Sequence, residues 1–545
     1  MTHRVPGANF RATPTRPSHP TLHTRLQMQR IVPFPAAGVA SALALAAALA
    51  AAPPLAAQPA PHKRIQAVMN RPEFAHAHWG MEFYDIASGK VLMSHNGDRL
   101  FVPGSTTKVV TMATALQALG PDHRFRTRVY RTGPIRDGVV QGDIVLVASG
   151  DPNISGRVRD GAYAFIDQDH SYGGQPLPSD PLTTLREMAQ QVAAKGIKGL
   201  TGQVIVDASL YREGARELGT RIVLSPMIVN DNVIDIVVTP GRRAGEPASV
   251  TVSPKTSLLT VQASITTADS GATAQLRTVE DSTSKDRRFL VLTGSVPVGA
   301  PSNRRWAVPQ PSRFGEITFA EVLTEAGVAA IPRLASRVVD PAALAARYAD
   351  SLLVAEHVSL DLTKEAVVLL KTSQNLHASN FPLLLGALKG GNGRTGFDIA
   401  RDWLTQEGLD LDGAVQGDGA GGDAYFAPRF MTRLLARIWA KPWAREFKAA
   451  LPTLGKDGTL AEIQVGAPAA GKVFAKTGTY GSYDPLNRRQ VIHGKGLAGF
   501  FTSKSGREIA FAIYVNNVAV ASGDPAKVAG QALGEVAAIA WETVK

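Results

Sequence analysis

"VPGSTTKVVTMATAL", Val102 to Leu116, decides how the rest of the chain is read. Pro103 and Gly104 break whatever precedes them. After Lys108 the apolar residues Val109, Val110, Met112, Ala113 and Leu116 recur at helical spacing, and Gly120 supplies a stop. Ser105 and Lys108 therefore stand three apart where a loop becomes a helix, a spacing that puts both on one helix face. Two readings follow. Ser105 caps the helix, as Ser commonly does, or it is a nucleophile with a lysine as its base. The pair alone does not choose between them. A second Ser-x-x-Lys, Ser282 and Lys285, lies in "DSTSKDRR", a polar run with no apolar period behind it, and reads as a solvated loop.

Upstream, "HWGMEFYDIASGKVLMSHNGDRLFVPGS" predicts two short strands joined at Ser88-Gly89. Far downstream, "GKVFAKTGTY", "GKGLAGFFTS" and "REIAFAIYVNN" predict three more in sequence. The closing segment, "PAKVAGQALGEVAAIAWETVK", predicts a helix that covers a sheet rather than a membrane anchor. Two strands at the start and three at the end make one antiparallel five-stranded sheet flanked by helices, an α+β fold of the α/β-sandwich kind. Residues 62–120 and 346–545 supply that unit. Residues 121–345 form a β-rich insertion of two subdomains, which costs little in loop entropy. It carries "GDIVLVASGDPNIS", the amphipathic helix "PLTTLREMAQQVAAKGIKG", and the alternating strands "DNVIDIVVTPG", "ASVTVSPKTS", "SLLTVQASITT" and "RRFLVLTGSVP". Nothing in it has a catalytic pattern.

The amino terminus differs from the rest. Residues 1–57 carry Arg4, Arg11, Arg16, Arg25 and Arg30 with no acid, then the small, apolar "AAGVASALALAAALAAAPPLAAQ". This reads as a secretory leader cut near Ala57, so the expected location is the periplasm, with no stable membrane anchor once the leader is removed. Met28, before Gln29 and Arg30, is an alternative start with an ordinary basic region. The formal charge of +12 includes the leader's arginines. No Lys/Arg run carries interleaved aromatics, so nucleic acid is not an expected partner. The chain has 0 Cys, which excludes a thiol nucleophile and a thiolate metal site. With no His-Glu-x-x-His and no Gly-x-Ser-x-Gly, neither a zinc protease nor an α/β-hydrolase is expected. No cofactor or metal is implied.

Two further motifs follow Ser105. Ser373-Gln374-Asn375 falls where the helical "TKEAVVLLK" ends, and Lys476-Thr477-Gly478-Thr479 falls on the first of the last three strands. Ser-x-Asn alone is weak; Ser94-His95-Asn96 also matches and reads as a hairpin turn. In this order and these contexts, however, the three motifs resemble those of the penicillin-binding serine D,D-peptidases and their β-lactamase relatives. The long interval between Ser105 and Ser373 narrows the resemblance, as do "GDIVLVASGDPNIS", "LPTLGKDGTL" and "FAKTGTY". Together they resemble the D-alanyl-D-alanine carboxypeptidase/endopeptidase family, the low-molecular-mass class C penicillin-binding proteins.

That resemblance implies the transpeptidase fold shared by penicillin-binding proteins and β-lactamases. It implies a serine-type D-Ala-D-Ala carboxypeptidase, with endopeptidase action as an extension, working on peptidoglycan stem peptides through an acyl-enzyme and inhibited by β-lactams. Ser105 is then the nucleophile and Lys108 its base, kept neutral by a charged Lys476 nearby. Ser373 passes the proton to the leaving amine and Asn375 holds the substrate's amide. Lys476 and Thr477 hold the terminal carboxylate, with Gly478 and Thr479 also binding substrate. The N–H groups of Ser105 and Thr479 form the oxyanion hole. Gln374 stands where the family often has Asp. "GDGAGGDAYFAPRF", Gly417 to Phe430, departs from the family's Asp-Gly-Ser-Gly-Leu-Ser-Arg at Ala420, Gly422, Asp423 and Ala424, in a loop expected to border the site. A β-lactamase-like hydrolase and a non-catalytic wall-binding protein on the same fold remain the alternative readings.

Overall fold

Asp85 ends one apolar run and Lys90 begins the next, and the turn between them is closed by the Asp85 carboxylate. It accepts from the N–H groups of Ala87 and Ser88, at 3.0 and 3.2 Å. In this computed structural model, described for residues 62–159, 161–164, 169–281, 288–331 and 341–545, the flanking strands are β1 (His78–Asp85) and β2 (Lys90–His95). The leader, 1–57, and the second Ser-x-x-Lys pair, Ser282 and Lys285, lie outside the described residues. The three carboxy-terminal strands are β3 (Val473–Asp484), β4 (Arg489–Thr502) and β5 (Glu508–Val518). They join the first two in one sheet of order β2-β1-β5-β4-β3, antiparallel throughout. The expected α+β fold is present, and the two ends of the chain meet along the β1–β5 pair.

Strand periodicity gives this sheet two buried faces. On one, Ala498, Phe500, Ala510, Ala512 and Tyr514 pack with the helices around Ser105. On the other, Val473, Ala475, Leu497, Ile509, Phe511, Ile513 and Val515 pack with the carboxy-terminal helix. The first face meets α1 (Thr107–Leu119), whose residues Thr107 to Leu116 are all buried. That explains its apolar and small residues on every side. Gly120, at φ +91°, ends it where the sequence places a stop. The helical pattern after residue 360 divides into α2 (Leu362–Lys371) and α3 (Asn375–Leu385), with Ser373 at φ +65° in the break. α4 (Pro428–Trp439) completes this layer, and α5 (Pro525–Thr543) covers the other face. Among the described residues no helix is long and apolar enough to cross a membrane.

The intervening region is β-rich with its own apolar cluster, running from Val129 to Ala355. A four-stranded sheet has the order Val204–Asp207, Ile144–Val147, Arg126–Arg131, Leu353–Val358. Two three-stranded sheets follow, one centred on Val233–Thr239 and one on Arg288–Pro297. The strand Leu353–Val358 pairs antiparallel with Arg126–Arg131 and so belongs to this region's sheet. We therefore propose that the insertion closes at Val358 rather than near 345.

Candidate active site

Pro103 and Gly104 deliver the chain into a single 3-10 turn, Gly104–Thr106, that runs straight into α1. Gly104 has φ +51°, and a Cβ there would lie 2.5 Å from the backbone N of Thr479. Across from it, a Cβ on Gly478 would lie 1.9 Å from the carbonyl oxygen of Pro103 and 3.0 Å from the N of Ser105. Both positions need glycine, because β3 lies directly against the turn that carries Ser105. The N–H groups of Ser105 and Thr479 are thereby brought to one place.

Ser105 does not cap α1; no side-chain cap bond is made at this helix start. Its Oγ accepts instead from Lys108 Nζ at 2.8 Å. Lys108 Nζ also donates to Asn375 Oδ1 at 2.6 Å and to the carbonyl of Ala420 at 3.2 Å. An ammonium has three N–H bonds, and all three are in use. Burial lowers the Lys108 pKa to about 8, against the opposing pull of Asp169, Glu217 and Asp418. Lys476 is fully buried and held well below the usual lysine range by burial and by the charges of Lys108 and Lys495. The sequence reading had a charged Lys476 keeping Lys108 neutral. Two neighbouring ammonium groups disfavour each other's charge, and the carboxylates Asp169, Glu217 and Asp418 favour it at Lys108.

Ser373 lines the same cleft as Ser105, Thr477 and Thr479, a space of about 660 Å³. Asn375 opens α3; the left-handed residue of the motif is Ser373. Gln374 is structural: its Oε1 accepts from Leu376 N at 2.8 Å and caps α3, while its Nε2 donates to Asp231 Oδ2 at 3.0 Å. The "LPTLGKDGTL" stretch is pinned by Lys371, whose Nζ donates to both oxygens of Asp457 at 2.8 and 2.7 Å. This sets Thr459 Oγ1 2.7 Å from Thr477 Oγ1. Ser94-His95-Asn96 ends β2 away from the cleft, with Asn96 Nδ2 on the carbonyl of Trp79.

The intervening region reaches this site, which its sequence did not disclose. Asn375 N donates to Asp169 Oδ2 at 2.8 Å, and Asn375 Nδ2 donates to Tyr172 Oη at 2.6 Å and Glu217 Oε1 at 3.1 Å. With Oδ1 on Lys108, the Asn375 amide is oriented from both ends. Tyr172 stands at the rim, 57% exposed, with its hydroxyl turned inward. The only signals were an acid and an aromatic in "DQDHSY", with nothing local to connect them to Asn375.

Behind Gln374 lies a buried ionic cluster. Asp231 pairs with Arg157, accepts from His170 Nδ1 at 2.9 Å and His377 Nε2 at 3.1 Å, and takes the Gln374 bond. His170 Nε2 also bonds Asp235 at 2.7 Å, and His377 Nδ1 bonds Glu365 at 2.9 Å. Asn230, Asp231 and Asn232 all hold φ near +50°, a region Asn and Asp tolerate best. Burial alone would lower both imidazoles, but Asp231 and Asp235 around His170, and Glu365 and Asp231 around His377, raise each to about 9. Asp231 is held well below its usual range: burial opposes this, and Arg157 and the two imidazoles outweigh it. Removing one member of a buried ion network strands the others. Asp231→Ala should therefore lose about 3–5 kcal/mol of folding stability, read from denaturant melts at neutral pH. Raised imidazoles contribute fully below about pH 6.5 and lose that contribution as the pH rises through 9. The gap between parent and variant should narrow above pH 9; a gap constant to about pH 10 would count against the assignment.

The atypical loop borders the site as expected. Asp418 Oδ1 accepts from Gly421 N at 2.7 Å and Oδ2 from Gly422 N at 3.0 Å, which aims the Ala420 carbonyl at Lys108. A Cβ on Gly422 would lie 2.9 Å from Leu218, a residue of the intervening region. Any side chain at this position would therefore press on Leu218.

Comparison with known proteins bears on the family and the fold. The family described as D-Ala-D-Ala carboxypeptidase 3 (S13) matches residues 62–537. The chain is similar to a D-alanyl-D-alanine carboxypeptidase of Actinomadura sp. (strain R39), 28% identical over 480 residues, 83% of this chain and 80% of that one. It is also similar to the D-alanyl-D-alanine carboxypeptidase DacB of Haemophilus influenzae, 22% identical over 454 residues, 79% of this chain and 84% of that one. Among solved structures, penicillin binding protein 4 (dacB) from Haemophilus influenzae superposes with a TM-score of 0.66 at 18% identity. It covers 88% of this chain and 99% of that one, and shows the same fold.

Proposed function

The chain belongs to the D-Ala-D-Ala carboxypeptidase 3 (S13) family, and from that premise we propose that it removes the terminal D-Ala from peptidoglycan stem peptides with Ser105 as nucleophile. It is a serine-type peptidase, and one observation supports the residue assignment above the others. Lys108 Nζ stands 2.8 Å from Ser105 Oγ while its other two donors are committed to Asn375 and Ala420. When Lys108 is neutral, its lone pair faces Ser105, because the two remaining N–H bonds point elsewhere.

Ser105 Oγ attacks the carbonyl carbon of the penultimate D-Ala as its proton passes to Lys108 Nζ. The developing oxyanion lies between the N–H groups of Ser105 and Thr479, each such donor being worth about two to three decades of rate. Collapse breaks the C–N bond. The leaving amine takes a proton from Lys108, relayed through the Ser373 hydroxyl, and an ester on Ser105 remains. Water then attacks that ester, giving up its proton to the same base, and releases the shortened peptide. Endopeptidase action is the same sequence with a cross-linked amino acid as the leaving group. Penicillin enters by the same acylation and stays because its ester is slow to hydrolyse.

The leader supports export to the periplasm. The protein recovered from that fraction should begin near Gln58, release D-Ala from pentapeptide muropeptides, and keep a fluorescent penicillin label through gel electrophoresis. Mass analysis of the digest reads the products. A label lost within minutes, with no peptide product, would instead identify a β-lactam hydrolase. No label at all would favour the wall-binding alternative.

A further inference from the structure

Lys476 and Lys495 point to opposite faces of the same sheet edge. Lys476 is paired with Ala498, which packs on the α1 side, and its Nζ turns back to the carbonyl of Thr477 at 2.9 Å. Thr479 is paired with Lys495, and the two share the face of Ala475 and Leu497, the α5 side. The cleft beside Ser105 is lined by Thr477, Thr479 and Lys495, but not by Lys476.

Lys495 is an incompletely paired cation. Its Nζ donates to Thr479 Oγ1 at 2.6 Å, and no other hydrogen bond from its side chain is present among the described residues. Its stem lies over α5 at Gly530, where a Cβ would come within 3.4 Å of Cε. Burial lowers its pKa to about 8, against the field of Asp524, so it is charged at neutral pH. Yet among the described residues no carboxylate approaches it within ion-pair distance. A half-buried charge facing a cleft, bonded to one hydroxyl and with Asp524 acting on it only from beyond ion-pair distance, lacks the paired counter-ion that buried charges normally have.

We propose that Lys495, with the hydroxyls of Thr477 and Thr479, binds the carboxylate of the departing D-amino acid, and that the wholly buried Lys476 does not touch it. The inference rests on the peptidase reading above. It moves the anchoring charge from the strand that carries the Lys-Thr-Gly motif to its neighbour. Bound this way, the leaving residue lies along the α5 end of the cleft, with its amine nearer Ser373. A cross-linked leaving group presents the same carboxylate, so one residue serves both kinds of cut.

The test is a ratio. Two D-alanyl thioesters are compared, one with mercaptoacetate as leaving group and one with its neutral amide, mercaptoacetamide. The parent should prefer the carboxylate substrate in kcat/KM by about ten- to a hundredfold, the usual range for a hydrogen bond to a charged group. Lys495→Met should lower that ratio at least about tenfold, and Lys495→Arg, which keeps the charge, should hold it above the Met value. Both rates come from one preparation, so a smaller folded fraction cancels. A ratio unchanged in Lys495→Met would overturn the assignment while leaving the peptidase reading intact. A parent that cleaves neither thioester would overturn the peptidase reading, and this inference with it.

Discussion

Ser105→Ala should give a folded protein that no longer takes a covalent label from penicillin, with acylation slowed by about 10⁴-fold or more. The fold should survive because the hydroxyl makes no cap bond to α1. What is lost is one acceptor of three for Lys108, whose bonds to Asn375 and Ala420 remain. The thermal midpoint should therefore move by only a few degrees, about the shift expected for 1 kcal/mol in a chain of several hundred residues. The reaction has no comparable reserve. The other lysine-bonded hydroxyl of the cleft, Thr479 Oγ1, is held by Lys495 on the neighbouring strand and not by the lysine that also bonds Asn375. The measurement is in-gel fluorescence with a reporter penicillin, alongside a melt of the same sample. A folded variant that still labels would move the nucleophile elsewhere, and Ser282 with Lys285 is the next such pair in the chain.

Acylation by the parent should climb about tenfold per pH unit and level off above about 8, where Lys108 gives up its third proton. Lys108→Arg should remove both the climb and about 10²- to 10⁴-fold of the rate, because a guanidinium cannot act as a base at these pH values. Lys108→Gln, close in length and uncharged, should share that loss, which separates missing basicity from a crowded site. Stopped-flow acylation against pH gives all three curves. Lys476→Met then tells burial from field. With burial the dominant cause, the climb should still end near 8. If Lys108→Arg acylates like the parent, the proton leaves by another route, and the role given to the lysine falls even with Ser105 as nucleophile.

The parts of this architecture that were legible are those written in short-range pattern. α1 showed in the spacing of Val109, Val110, Met112 and Leu116, all of them buried. The five strands showed in their alternation, and the three motifs in their order along the chain. The partners of Asn375 could not be read. Asp169, Tyr172 and Glu217 stand 206, 203 and 158 positions away, and no local signal encodes that meeting. Lys495 was hidden for a subtler reason. Its pairing with Thr479 depends on the length of the β3–β4 hairpin and on the bulge at Tyr480 and Gly481. A one-residue slip would turn it to the other face. The carboxylates that favour charge on Lys108 were not legible either, because Asp169, Glu217 and Asp418 come near it only in the folded site. Gly422 departs from the family pattern, and the neighbour that crowds it, Leu218, lies far upstream in the intervening region.

The cluster around Asp231 bears on how separable the parts of this enzyme are. Transpeptidase folds invite trimming: delete the insertion, join the ends, keep a minimal catalyst. Here Arg157, His170 and Asp231 come from the segment that would be deleted, while Glu365, Gln374 and His377 stay behind on α2 and α3. A truncated chain would leave His377 and Glu365 as a remnant ion pair, uncap the far side of Gln374, and release Asn375 from three of its anchors. The same holds for grafting an insertion from one relative onto another, since the charges on both sides must be exchanged together. The boundary that reads as a spacer in the sequence is held, among the described residues, by buried charges supplied from both sides.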